Sequence, residues 1–248
     1  MLRTLALVEI ARGILPPESP EVLRAIAGLT WRFEGYVRRP RGGILTERAR
    51  ASGASTRSVE GMVREALDLD LQRRLEELIL PRVEPEWLDR YAVTEPPGEA
   101  HGTLLIGLSS PHPLIAVAAL STVFPAMGSV PPLAATGTSW AARRLQAHFD
   151  HNRAQMRVLW LAPEQLTAHL ANGHPAFVTT ERIAGGPLAP AHAAHLAIVG
   201  EVPTRPVLVH RARDKRWRIS VGERGSFVDT CAALAQHAAR WPGQHLAG

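Results

Sequence analysis

The sequence predicts an α/β fold: a mixed central sheet flanked by helices, with an N-terminal helical cap. Three observations carry that expectation. Apolar residues up to about residue 80 recur at helical spacing, and from residue 100 short apolar runs rich in β-branched side chains alternate with helical segments. The last two of those runs are joined by a short polar turn, as in a hairpin. Alternation argues for a mainly parallel sheet, and the terminal hairpin makes it mixed. A chain of 248 residues with 46% hydrophobic content can close one large core. A single domain over 1–248 is therefore expected, with the helical cap region over 1–95 and the sheet-containing core over 100–248.

In chain order, a helix is expected over 19–37, and "RRPRGG" at 38–43 reads as a basic loop punctuated by Pro and Gly. From 56 to 80, Val59, Val63, Leu67, Leu71, Leu75 and Leu78 step by three or four. Glu60 and Arg64, then Arg73 and Glu77, sit four apart on the wet face, and Pro81 ends the helix. Strands are expected at 103–108, 157–161, 175–180, 206–211 and 217–221. Helices are expected at 114–123, 139–151, 163–171, 190–199 and 227–240. The stretch "PVLVHRARDKRWRISV" forms the hairpin, turning at Asp214 and Lys215.

Charge and composition narrow the function classes. The formal charge of +5 is carried by arginine, Lys215 being the only lysine. Guanidinium suits a planar, bidentate grip on carboxylate, sulfate or phosphate. With aromatic residues at 5% and no binding signature, nucleic acid is not an expected partner. Cys231 stands alone, so neither a disulfide framework nor a cysteine metal cluster is expected. The opening "MLRTLALVEIARGILPP" is interrupted by Glu9 and Arg12 and lacks a small-residue cleavage site. No window approaches the roughly 20 apolar residues of a membrane span. A cytoplasmic protein without a transmembrane segment is expected.

A family resemblance rests on order and spacing. The segments "LEELILPRVEPEWLDRYAV", "GTLLIGL", "QLTAHLANGHPAFVTTE", "RPVLVHRARDKRWRISV" and "WPGQH" follow one another over residues 56–245. That succession resembles the lipid A late acyltransferase, or lysophospholipid acyltransferase, family. The resemblance implies an acyltransferase-like scaffold in which a histidine deprotonates the acceptor and a carboxylate five residues later orients it. Here the dyad is missing. The family histidine falls near Ser109 and its acid near Leu114; if His112 is taken instead, the acid position is Val117. None of the other histidines is followed at that distance by Asp or Glu, and the family's N-terminal membrane-anchoring helix is not expected either.

Candidate site residues centre on "GTLLIGLSSPHPLIAVAAL", a strand, a turn and a helix start. Such helix starts present unpaired N–H groups to anions. Ser109 and His112 are the catalytic candidates there, with Ser110 binding substrate; the cap-only alternative makes the turn an ordinary N-cap. Glu181 ends the strand "PAFVTTE" and is the third catalytic candidate, because parallel strands deliver their carboxyl ends to one side. Arg143, Arg205 and Arg211 are candidates for holding an anionic group. His148, Asp150 and His151, and the pair His192 and His195, read as solvated or core-edge residues; no metal and no cofactor are expected.

A chain without dyad, metal set or cofactor fingerprint is short of chemical groups, so a protein partner subunit is expected. The leading expectation is a biosynthetic or tailoring protein, one subunit of a transferase- or lyase-type enzyme acting on a small anionic or carrier-bound substrate. The alternatives are an acyltransferase using acyl-coenzyme A or acyl carrier protein, and a nonenzymatic scaffold subunit.

Overall fold

The computed structural model describes residues 39–79, 92–94, 98–108, 113–130, 140, 143, 147, 150, 154, 156–180, 202–214 and 216–246. The helices expected over 19–37 and 190–199 lie outside these residues, and the one expected over 139–151 is described only at isolated positions.

The first described element corrects an expectation. The basic stretch read as a loop opens helix α1, Arg39–Ala51. Pro40 falls in the first turn, where its missing N–H has no intrahelical acceptor to lose. Helix α2, Thr56–Ile79, matches the periodic stretch. Gly53, at φ 78°, turns the chain between the two helices, and the Ser58 N–H donates to Ser55 Oγ at 3.4 Å at the start of α2. The buried stripe is Val59, Met62, Ala66 and Leu69, with Val63 and Leu67 only partly covered. Over residues 56–69 it is rotated from the expected stripe and packs with Leu45 and Ala49 of α1; the side chains of Leu71, Leu75 and Leu78 lie outside the described residues.

The sheet has seven strands in the order β1-β7-β6-β2-β5-β3-β4. They are β1 Ala92–Thr94, β2 Leu104–Leu108, β3 Gly128–Ser129, β4 Leu159–Trp160, β5 Ala176–Thr180, β6 Thr204–Arg211 and β7 Trp217–Val221. Five are parallel; β7 runs against β6, and β1 pairs parallel to β7 at the sheet edge. The expected hairpin is present, and β1 and β3 are additions too short to show periodicity.

Side-chain alternation along β2 divides the core. Leu105 joins one layer with Ile115 and Leu120 of helix α3, Pro113–Val123, and with Phe177, Val207, Val209, Trp217 and Ile219. Leu104, Ile106 and Leu108 join the other. There they meet Leu166 and Leu170 of α4, Leu166–Ala171, and Leu234 and Ala238 of α5, Phe227–Arg240. Gly107 is required by this packing: a Cβ would sit 2.8 Å from the Phe177 ring. The result is an α/β fold with a mixed sheet covered on both faces. No helix among the described residues is long and apolar enough to cross a membrane.

Candidate functional site

The site is built from the direction of the strands. β2 and β5 are parallel neighbours in register from Leu104↔Ala176 to Leu108↔Thr180. Their onward connections pass each other: β2 leads across β5 to β3, and β5 leads across β2 to β6. Both strands end at the carboxyl edge of the parallel sheet, the edge at which open α/β sheets usually bind ligands. Ser109 and Glu181 are the residues that follow this last pair in the sequence. Ser109, Ser110, His112 and Glu181 themselves lie outside the described residues.

The three arginines are distributed differently from expectation. Arg143 is exposed. Arg205 pairs with Leu105 near the amino ends of the parallel strands, at the edge opposite Leu108 and Thr180. Its Nε donates to the Gly222 carbonyl at 2.7 Å, and its Nη1 donates to Gly98 and Glu99 carbonyls at 3.2 Å each. Those bonds staple that edge. Burial first, and then the nearby Arg224 charge, holds its pKa below the usual guanidinium range.

Arg211 is at the carboxyl edge. It ends β6, opposite Trp217 of β7, with its guanidinium carbon 5.4 Å from the centre of the Trp217 ring. Its main chain is held at both polar atoms by one side chain: the Arg211 N–H donates to Gln244 Oε1 at 2.7 Å, and Gln244 Nε2 donates to the Arg211 carbonyl at 3.0 Å. Gln244 thus takes the place of a neighbouring strand. It belongs to the "WPGQH" segment, whose sequence signal marked the family resemblance without revealing this role.

Beside it the structure assembles an aromatic cluster that sequence spacing does not show. The half-buried His210 stacks on Trp241, ring centres 4.6 Å apart. His237 is 5.3 Å from His210 and 5.4 Å from His245. The His237 Nε2 lies 3.1 Å from the Val209 carbonyl, which can only accept, so Nε2 carries the hydrogen. The buried Nδ1 of His210 has no hydrogen-bond partner among the described residues. Burial is the largest influence on both rings and lowers both pKa values; His237 and Arg218 lower that of His210 further, and Arg240 that of His237. The Val209 bond opposes the shift at His237.

Two other reactive types are placed. Cys231 is partly buried on α5, and burial pushes its thiol pKa up, away from nucleophilic use. Among the described residues no group of three or more His, Cys, Asp or Glu could hold a metal ion. Of the histidine groups singled out in the sequence, His148, His151, His192 and His195 lie outside the described residues. No protein-family model matches the chain, and no curated protein matches it.

Proposed function

We propose that this chain is a small-molecule biosynthetic or tailoring protein on an acyltransferase-like scaffold, one subunit of a heteromeric enzyme performing group transfer or elimination. The observation that supports this reading is the in-register pair Leu108↔Thr180 at the carboxyl edge of the sheet, from which the sequence runs directly into Ser109 and Glu181. On this reading His112 is the base, Ser109 and Ser110 hydrogen-bond the substrate, Glu181 supplies the carboxylate that the dyad lacks, and α1 and α2 cap the site. Arg211 favours an anionic or carrier-bound substrate, since its guanidinium is at the same edge of the sheet. The shortage of further chemical groups is the argument for a partner chain.

The test is a paired measurement on Ser109→Ala/His112→Ala. Loss of hydrogen bonds to an anionic ligand costs about 1.5–3 kcal/mol each, tenfold or more in affinity. The double variant is expected to lose binding or activity with an almost unchanged melting temperature. Stability lower by about 1 kcal/mol with activity per folded molecule preserved would reduce the turn to a helix cap. Acyl thioesters supplied to the chain alone are expected to turn over little, and co-purification with the products of neighbouring genes is expected to yield a stable complex. Efficient turnover by the isolated chain that collapses on His112→Ala would replace this reading with a self-sufficient acyltransferase.

A further inference from the structure

Residues 241–246 join two bodies of the molecule that the rest of the chain holds apart in sequence. On one side they grip the end of β6 through Gln244 and the Trp241 ring. On the other, Leu246 is buried with Leu45, Ala49, Val59, Met62 and Ala66 of α1 and α2, and Arg48 Nη1 donates to the Leu246 carbonyl at 3.3 Å. Between these contacts lie His237 and His245, edge to face. We propose that His210, His237, His245 and Trp241 form an acid-responsive clasp: with His210 and His237 neutral it holds residues 241–246 across the end of β6, and on protonation of those two rings it releases them and loosens α1 and α2 from the sheet.

The charges around the clasp disfavour adding another proton. Arg218 of β7 is the cross-strand partner of His210, and Asp214 at the hairpin turn is committed to that arginine at 2.8 Å. Arg240 lies on α5 near His237, Arg211 ends β6 beside His210, and Arg48 reaches in from α1. From α2 the Glu65 carboxylate faces Gly243, where an added Cβ would collide with it. That acid contacts the segment beyond Trp241 and is not among the causes acting on either shifted ring. An imidazolium formed at His210 would put a buried N–H at Nδ1 with no acceptor among the described residues.

The sign follows from linkage. Both histidine pKa values lie below the ordinary value of about 6.5 in the closed state and return to it when the clasp opens. Above that pH neither state takes up protons and the clasp keeps its full stability. Below it the open state binds more protons, so closure weakens as pH falls until the closed-state pKa values are reached. This inference concerns closure and needs no substrate, so it stands or falls apart from the reaction class proposed above.

Amide hydrogen exchange on the full-length chain at about pH 7.5 and about pH 5.5, each divided by the intrinsic rate, tests it. Exchange at the Arg211, Gln244 and His245 amides is expected to rise severalfold, with about tenfold per titrating histidine as the ceiling, while β2 amides stay unchanged. His237→Gln keeps a donor for Val209 but cannot titrate, and His210→Phe keeps a ring on Trp241. Together they are expected to flatten the profile. If the double variant does not fold, the wild-type comparison still decides, because flat exchange at those three amides overturns the clasp. An undiminished pH response in a folded double variant overturns it equally.

Discussion

The two ends of strand β6 carry similar residues and do opposite things. Arg205 and Arg211 are six positions apart, so their side chains leave the same face of the sheet about 20 Å from one another. Arg205 directs its guanidinium into three main-chain carbonyls at the amino edge. At Arg211 the main chain is clamped by Gln244 instead, and the guanidinium lies over an indole. Nearby, Thr204 closes the amino edge with a 2.7 Å contact to the Thr230 hydroxyl, while His210 adds a titratable ring to the carboxyl edge. One end of the strand is stitched by groups whose charge does not change near neutral pH. The other adds His210 and His237, whose charge does.

Breaking the carboxyl end at its largest component is expected to have the largest effect. Trp217 is fully buried beneath Arg211, and Trp217→Ala is expected to cost about 3–5 kcal/mol, read as a lower denaturation midpoint. Arg205→Met comes next. It leaves the Gly98, Glu99 and Gly222 carbonyls without this donor and is expected to cost about 2–3 kcal/mol, with no change in ligand binding per folded molecule. Gln244→Ala strips both bonds from the Arg211 main chain and is expected to cost about 1–2 kcal/mol, with faster exchange at the Arg211 amide. Arg211→Met, which keeps apolar cover on Trp217, is expected to cost about 1 kcal/mol or less in stability while weakening anion binding. A larger stability loss at Arg211 than at Arg205 would invert the contrast.

The smallest expected effect belongs to a helix start. Ser226 and Asp229 form a reciprocal capping box at α5, and Ser226→Ala is expected to cost about 1 kcal/mol. The Ser226 hydroxyl first, and its backbone N–H second, lower the Asp229 pKa. Its stabilisation is therefore present above the ordinary carboxylate pKa of about 3.9 and disappears as pH falls through the lowered folded value. The histidine window opens higher, below about 6.5, so an acid titration of stability is expected to show two separate declines. Ser226→Ala should reduce the lower one without moving the upper, and a remainder should persist because the Ser226 N–H still bonds Asp229 and the Arg216 N–H lowers the Asp214 pKa.

Much of the frame was legible because its signals are local. β7 falls on the expected residues 217–221, β5 and α3 differ by a single residue at one end, and the hairpin turn was marked by Asp214. Arg38 to Gly43 was misread because Pro and Gly signal a loop unless they fall in a helix's first turn, where Pro40 lies. The aromatic cluster was not legible at all. His210 meets His237 and Trp241 because α5 starts beside the amino end of β6, at Thr204 and Thr230, and runs along it to Val209. That direction is set by packing of Leu234 and Ala238, and no spacing in the sequence encodes it. Arg205 and Arg211 looked equivalent for the same reason: which edge a residue occupies depends on strand polarity, not on residue type.

The seating of Leu246 between α1 and α2 has a consequence for the order in which the molecule is made. The Arg48 to Leu246 bond closes across 198 positions, so the first described helices emerge from the ribosome long before their buried partner exists. At about 5–20 residues per second, the gap lasts roughly ten seconds or more. During that interval Leu45, Val59 and Met62 lack the side chain that completes their cluster, and the nascent helical pair keeps part of its apolar face uncovered.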